Sequence, residues 1–500
     1  MRRTWAAGYA SSPASLEGIG IGRAARAHDE SKIIDRLPPN PGMAAAAQEP
    51  WAILAAIPTV VKYKYADRVF PPGADISVAR KDPPRASVLR VPPHVSLPAC
   101  LGCHPYVAAA DTSGLLLVFG THPVDGESAI LNYHVCDART GEVASLPRQS
   151  RPMGFYGANV GLIVKPGGGG GVCMVAELLR SPGGGATLLS YKVGERGEWR
   201  ERELMTCSPP LPEDWYPDGV VSYGGMLWWV DLSFGLLACD PFAEDPALLH
   251  VPLPQAPDAL PPDDQPNRGA HRCMKVSGGR LRCVQIHGKR SVPVVSTWGL
   301  AGPTSSPISE WEWNPERSVP LAELWVDDCV DLRPPNDPAL ALIHPTDPDR
   351  VYFFLRSSIV AVDLRLRKLV GAGHEFEMLA PPRELRRMRS SHFVHAWQYD
   401  PSSTRPDFVS KCMRQEKAIA ANTNNWFYGI FPVTRKTVKE FERIWEFVIN
   451  REEEDRRRRR QQQQQDFKRW RLVSEKRKKK QSTFMNDIGY NIPCMICLPH

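Results

Sequence analysis

This sequence of 500 residues lacks the patterns that mark several large classes of protein. No apolar run reaches the roughly 18 residues that a membrane-spanning helix needs, and the first residues show no apolar core of a signal peptide. No His-Glu-x-x-His zinc motif, Gly-x-Ser-x-Gly nucleophile motif or Rossmann glycine pattern occurs. We therefore predict no catalytic residue, no cofactor, no metal site and no membrane association, and we expect a protein that is not an enzyme.

Cysteine occurs twelve times, but without the spacing of a metal site or a disulfide framework. Cys100-Leu-Gly-Cys-His104 spells the attachment motif of c-type haem, which requires an oxidising compartment and a small helical fold. Cys494-Met-Ile-Cys497 is a single knuckle, whereas structural zinc sites use four ligands. We interpret both motifs as unliganded. Four further cysteines in apolar runs are expected to be reduced core thiols of an intracellular protein, namely Cys136, Cys173, Cys239 and Cys329.

Proline is abundant, with 48 residues in the chain, about twice the usual share of ~5%. Because proline interrupts helices and limits strands to short pieces, this composition favours short strands and many turns. The apolar residues, 42% of the chain, suffice for a sizeable core.

A strand–turn–strand unit that ends in aspartate recurs along the middle of the chain. Such a hairpin cannot bury its apolar face alone, so recurrence predicts a repeated β architecture. The three clear copies are Leu115–Phe119 with Ile130–Asp137, Met226–Val230 with Gly235–Asp240, and Val351–Leu355 with Ile359–Asp363.

Weaker units fill the gaps, and the residue after each inner strand falls at positions 137, 194, 240, 299 and 363. The spacing between successive positions is somewhat longer than the roughly 40–50 residues of a propeller blade. We predict an all-β fold, a degenerate β-propeller-like repeat of antiparallel hairpins with six or seven blades, followed by a charged α-helical tail. A pair of β-sandwiches remains the alternative.

The repeated unit also predicts roles for single residues. Asp137, Asp240 and Asp363 should accept the amide two residues on and begin a turn, which argues against a metal-binding ring of aspartates. We expect the tryptophans of these units to be mostly blade core; they are Trp228, Trp229, Trp298, Trp311 and Trp313.

The positive charge lies in one segment near the carboxyl end. The chain has a net charge of +7, but residues 451–480 contain 14 Lys and Arg against six Asp and Glu. The remainder, with 48 basic and 49 acidic residues, is almost neutral. We predict five regions: a disordered extension (1–42), a β-rich domain (43–405), a linker (406–436), an amphipathic and then basic helix (437–480), and a disordered tail (481–500).

Two basic clusters in this helix are candidate contacts for an importin-type receptor or, weakly and without sequence preference, for nucleic-acid phosphates. A charged helix without a partner is the alternative. The residues are Arg456, Arg457, Arg458, Arg459, Arg460, Lys476, Arg477, Lys478, Lys479 and Lys480.

Several strand phrases, in the right order, resemble one plant family. The phrases are Pro105–Leu117, Tyr223–Pro241, His250–Pro254, Ile343–Phe354 and Phe393–Trp397. They are similar to domain of unknown function 1618 (DUF1618), a family expanded in grasses. The resemblance implies no reaction. Its strand pattern is similar to that of the propeller domains that follow F-box motifs and recruit a partner, although we find no F-box in this sequence.

These observations predict a non-enzymatic protein-interaction scaffold with an unidentified protein partner, located in the nucleus or cytoplasm. Two alternatives remain open. One is an enzyme or ligand-binding propeller that uses its central channel, which would require ionisable side chains to converge there. The other is an RNA-associated protein that acts through its basic tail.

Overall fold

The computed structural model describes most of residues 51–398. The gaps are residues 63–64, 97–104, 125–126, 148–158, 166–171, 182–183, 196–197, 205–209, 214, 257–267, 289–291, 302–310, 326–337, 356–357 and 374–389. The predictions for residues 1–42, for Cys100–His104 and Cys329, and for everything after residue 398, including both basic clusters and Cys494–Cys497, lie outside the described residues.

The described residues form 25 strands and very little helix. The first four strands are β1 (Trp51–Ala55), β2 (Thr59–Val60), β3 (Ser77–Ala79) and β4 (Ala86–Val91). Two short α-helices span Ala66–Val69 and Arg268–His271, and two 3-10 helices span Leu321–Trp325 and Ser391–Phe393. No described helix has the length and apolar character needed to span a membrane.

The next twenty strands form five four-stranded antiparallel blades, each in chain order. The first blade has β5 (Tyr106–Ala110), β6 (Leu115–Val124), β7 (Glu127–Asp137) and β8 (Val143–Ser145), and the second has β9 (Val160–Lys165), β10 (Val172–Arg180), β11 (Ala186–Val193) and β12 (Arg200–Leu204). The third blade has β13 (Gly219–Tyr223), β14 (Met226–Asp231), β15 (Gly235–Cys239) and β16 (Leu249–Val251), and the fourth has β17 (Arg272–Ser277), β18 (Arg280–His287), β19 (Val294–Ala301) and β20 (Glu312–Pro320). The fifth blade has β21 (Ala339–Ile343), β22 (Arg350–Leu355), β23 (Ser358–Asp363) and β24 (Lys368–Gly373). The last strand is β25 (Val394–Gln398).

A sixth, mixed sheet joins the two ends of the described chain. Strand β1 pairs antiparallel with β25 at its inner edge and parallel with β4, which also pairs with β2 and β3. The first strand of each blade contacts the first strand of the next, and β25 contacts both β21 and β5. The innermost strands therefore close into a ring around a central channel, which is the arrangement of a β-propeller.

The apolar core is divided among the junctions between adjacent sheets. Among the described residues, six apolar clusters each join one sheet to the next around the ring. Strand β14 serves two junctions: Leu227 and Trp229 pack toward the second blade, while Trp228 and Val230 pack toward the fourth. Because successive side chains point to opposite faces and both faces are buried, the strand is apolar throughout rather than alternating.

The fold confirms the predicted all-β propeller and excludes the sandwich pair. The three hairpin copies are the two middle strands of the first, third and fifth blades. Five positions were predicted to follow an inner strand of a repeat. Positions 137, 194, 240 and 363 lie at, or one residue after, the end of the third strand of a blade, whereas position 299 lies inside β19. The described residues form five blades, fewer than the six or seven predicted, because the sixth position in the ring is taken by the mixed sheet.

The three aspartates act as turn formers. Asp137 Oδ1 accepts the amide of Arg139 at 2.8 Å, and Asp240 Oδ1 accepts that of Phe242 at 2.9 Å. Asp363 Oδ1 accepts the amide three residues on, at 2.7 Å. No group of three or more potential metal-ligating side chains occurs within the described part of the chain.

The core predictions hold for the thiols and for three of the tryptophans. Cys136, Cys173 and Cys239 are buried free thiols, and burial raises the pKa of Cys239 to about 12. Trp228, Trp229 and Trp298 are buried as expected.

The prediction of core burial was wrong for Trp311 and Trp313, which are only half-buried at the outer edge of the fourth blade. Trp311 stacks on Trp228 with ring centroids 6.2 Å apart. Trp313 donates its indole N–H to the carbonyl of Pro252 at 2.7 Å. Both lie on or beside the last strand of the blade, which has one neighbouring strand instead of two, so their rings are less covered.

The mixed sheet should be essential for stability. Ile53 in β1 is fully buried against the fifth blade, so Ile53→Ala should lower the free energy of unfolding by about 2–5 kcal/mol, measured by urea denaturation. Leu366→Ala removes the same number of carbon atoms from a side chain that is 51% exposed and should cost under about 0.5 kcal/mol. Equal losses in the two variants would contradict closure through β1.

The turn role of Asp240 makes a second prediction. Asp240→Ala should lower the free energy of unfolding by about 1 kcal/mol, because the amide of Phe242 loses its acceptor. Asp240→Asn should recover the part of this loss that comes from Phe242, since its amide oxygen can still accept, but not the ion pair with Lys165, whose Nζ lies 2.8 Å from Asp240 Oδ2. Excess EDTA should change the melting temperature of neither the wild type nor the variants. A wild-type transition lowered by EDTA, but unchanged in Asp240→Ala, would instead indicate a metal.

Candidate functional site

Ionisable side chains converge on a pocket at one end of the central channel. The pocket has an empty volume of about 460 Å³, including solvent at its open mouth. Its lining includes Tyr106 from β5, Asp218 just before β13 and Lys275 from β17. It also includes His392 from the 3-10 helix Ser391–Phe393 and His395 from β25. These residues come from four different sheets, so the ring closure itself assembles the site.

Lys275 is the free cation of the pocket. Its side chain reaches deep into the protein while keeping contact with the channel, and burial lowers the pKa of its ammonium group. No hydrogen bond or ion pair with another described residue satisfies this group. A buried amine without a counter-ion is energetically costly.

Both histidines of the pocket are neutral near pH 7. His395 donates a ring N–H to the carbonyl of Val107 on β5, with an N···O distance of 2.7 Å. Burial, followed by the positive charge of Lys275, lowers the pKa of His395 to about 3 and that of His392 to about 4. For His392, the positive charge of Arg268 adds to the effect.

Asp218 is the acidic member of the pocket. Its Oδ2 accepts the amide of Leu232 at 2.7 Å, and its Oδ1 lies 3.7 Å from His392 Nε2. Burial raises the pKa of Asp218 to about 6, although the Leu232 amide and Arg268 favour the carboxylate. Asp218 therefore changes charge just below neutral pH.

Two further contacts fix His392. The phenol of Tyr106 donates to the carbonyl of His392 at 2.5 Å and so ties β5 to the start of β25. Gly269, in the helix Arg268–His271, packs so closely that a Cβ atom there would overlap Ser390 Oγ and lie 2.6 Å from His392 Cε1. A glycine is thus required beside this imidazole.

Ser390, His392 and Asp218 form an arrangement that superficially resembles a catalytic triad. Ser390 Oγ lies 3.1 Å from His392 Nδ1, and Asp218 faces the other ring nitrogen. However, Ser390 is only 1% exposed, and its hydroxyl also accepts the amide of His392 as the cap of the 3-10 helix. A nucleophile must reach its substrate, and this hydroxyl is enclosed.

The sequence did not predict these residues as a site. From the sequence we expected only that a ligand-binding propeller would need ionisable groups at its channel, and the structure brings such groups together there. The available signals were a lysine inside the apolar strand Arg272–Ser277 and two histidines three residues apart around β25. The predicted basic residues at 456–460 and 476–480 lie outside the described residues.

Comparison with solved structures finds distant likenesses. The β-propeller domain of Cps50 (Swd1) from Myceliophteria thermophila is 10% identical, covering 54% of this chain and 86% of that domain with a TM-score of 0.25. The catalytic domain of the Coprinopsis cinerea GH62 α-L-arabinofuranosidase is 11% identical, covering 63% and 90% with a TM-score of 0.21. The Podospora anserina α-L-arabinofuranosidase PaAbf62A, solved with cellotriose, is 12% identical, covering 59% and 92% with a TM-score of 0.19. Likenesses of this size carry no argument about function.

The comparison with curated proteins finds no match. The family described as "Protein of unknown function (DUF1618)" matches residues 229–352. This segment runs from the second strand of the third blade to the second strand of the fifth and includes Lys275. A propeller in a family of unknown function fits a scaffold or binding role. The strand phrases in residues 229–352 are therefore similar to those of the DUF1618 family, as the sequence predicted.

Proposed function

We propose that this chain is a non-enzymatic binding protein that receives a small ligand, or a side chain of a protein partner, in the pocket at the end of its channel. One observation carries the proposal: the pocket is lined by Lys275, a deeply placed cation that has no partner among the described residues. Burying such a group lowers stability, and a bound group that pairs with it would remove the penalty.

The composition of the pocket supports the same role. Binding pockets typically combine apolar walls with a few convergent polar groups. Here the apolar wall comes from Ala108, Val220, Val221, Met274 and Leu232, and the polar groups cluster around Lys275 and Asp218. The volume suits a fragment of a molecule rather than a folded domain, so a protein partner would insert one side chain.

An enzyme is the second candidate, because Asp218 has a raised pKa and lies beside an imidazole, as acid–base pairs do. Binding is favoured for two reasons. The pKa of His392, about 4, is too low for it to exchange protons efficiently near pH 7. The hydroxyl groups of Ser390 and Tyr106 are already committed to structural hydrogen bonds.

The charged tail supports a proposal about location. Residues 451–480 have a net charge of +8 in a chain whose remainder is almost neutral, and the two basic clusters suit an importin-type receptor. We propose nuclear import through these clusters, with weak binding to nucleic-acid phosphates as the alternative use.

Filling the pocket should abolish binding. Gly219 lines the pocket, and a Cβ atom there would meet no other atom within 4 Å, so Gly219→Leu should occupy the cavity without disturbing the fold. We expect small acids, amides or amines that raise the wild-type melting temperature to have no effect on this variant.

Gly185→Leu is the control, because Gly185 lies between β10 and β11 of the second blade, outside the pocket lining, and a Cβ atom there would make only ordinary contacts at 3.8 and 3.9 Å. This variant should respond to ligands as the wild type does. If none of these small acids, amides and amines changes the melting temperature of the wild type differently from that of Gly219→Leu, the channel end is not the binding site.

Deleting residues 451–480 should move the protein from the nucleus to the cytoplasm, as followed with a fluorescent fusion. Replacing the ten basic residues of the two clusters by Gln should have the same effect, because receptor recognition requires their charge. Retention on RNA should be measured in parallel over a range of salt concentrations. Unchanged location and unchanged retention would refute both uses of the tail.

A further inference from the structure

We propose that the group bound in the channel-end pocket is a single carboxylate, held by the ammonium of Lys275, with its hydrocarbon part against the apolar wall. This inference rests on the proposed binding role and adds the chemistry of the ligand. No described residue supplies an anion to Lys275, and the pocket opens toward it.

Among the described residues that line the pocket, Lys275 is the one cation without a hydrogen-bond or ion-pair partner. The arginines near the pocket both have partners. Arg268 lies 3.6 Å from the carboxylate of Asp231, and Arg272 donates to the carbonyl of Leu232 at 2.5 Å. Both imidazoles are neutral, and the Tyr106 phenol is bonded to the His392 carbonyl. A cationic ligand would meet the repulsion of Lys275, whereas an anion would gain its attraction.

The ligand should carry one negative charge rather than two. Asp218 shares the pocket and is mostly ionised at neutral pH, so it repels any anion that Lys275 attracts. A phosphate group carries about −1.5 to −2 charges at pH 7 and normally requires several cationic or amide donors. One ammonium group, opposed by one carboxylate, matches a monoanion.

The apolar part of the pocket lining favours a ligand with a hydrocarbon stem. Val220, Val221, Met274 and Leu232 line the pocket beside Lys275. Burying a methylene against such a surface contributes about 0.8 kcal/mol in general. A carboxylate on two or three methylenes occurs both in a short-chain carboxylic acid and in the side chain of a glutamate on a partner.

Acidification should strengthen binding. Between pH 8 and pH 6, Asp218 begins to lose its charge because burial raises its pKa to about 6, and the loss of this carboxylate favours an anion beside Lys275. Across this range His392 and His395 stay neutral, as does Tyr106. Arg268 faces the carboxylate of Asp231, and Arg272 donates to the carbonyl of Leu232. The affinity for a carboxylate should rise roughly fivefold.

The test uses three probes of nearly the same shape: butyrate, butyramide and butylammonium. Their binding to the full chain is measured by protein-detected NMR or calorimetry at millimolar concentrations. Butyrate should bind at least about tenfold more tightly than either other probe, since hydrogen bonds to charged groups are the strong ones. Lys275→Met should lose this preference, and Lys275→Arg should keep part of it.

The melting temperature controls for folding, because Lys275→Met removes a buried amine and should not lower it. Equal binding of butyrate and butyramide would overturn the carboxylate proposal and leave the binding role intact. The same conclusion would follow if Lys275→Met bound butyrate as well as the wild type does. If none of the three probes binds the wild type, both proposals fail.

A second comparison identifies the source of the carboxylate. The tripeptide acetyl-Gly-Glu-Gly-amide presents a glutamate side chain, and acetyl-Gly-Gln-Gly-amide is its neutral control. Tighter binding of the glutamate peptide than of butyrate would support a protein partner, whereas tighter binding of butyrate would support a free acid. Binding of the glutamine peptide at the level of the glutamate peptide would overturn the carboxylate proposal.

Discussion

Closure of the ring is the constraint on which the rest of this structure depends. Among the described residues, each blade buries both of its faces against the neighbouring sheets. Removing one sheet would expose the apolar faces of two others, at roughly 25 cal/mol per Å². The mixed sheet completes the ring by pairing β1 with β25, which lie some 340 residues apart in the chain.

The blades could be predicted from sequence because their signals are local. A middle hairpin such as Met226–Asp240 combines an apolar run, a tight turn and a terminal aspartate within fifteen residues. The mixed sheet could not be predicted in this way, since β1 and β25 carry no pattern that pairs them with each other. Trp311 and Trp313 were misjudged for a related reason: their type indicates core, but their burial depends on lying at the outermost edge of a blade.

The pocket was beyond prediction for the same physical reason as the mixed sheet. Tyr106 and His392 are 286 residues apart and meet through one hydrogen bond. A lysine in a strand usually marks a solvated face, and only the ring geometry shows that Lys275 points into a channel. Altered pKa values such as that of Asp218 arise from burial, which a linear sequence does not display.

The position of β25 at the inner edge of the mixed sheet determines when the pocket can form during synthesis of the chain. His392 and His395 are among the last described residues to be synthesised, and the pocket needs both of them together with Tyr106 from the first blade. On the ribosome, five blades can therefore be complete while the pocket does not yet exist. Once β25 inserts, a ligand in the pocket contacts the first blade and the mixed sheet at once, and its binding would report that the chain has been made through β25 and that the ring has closed.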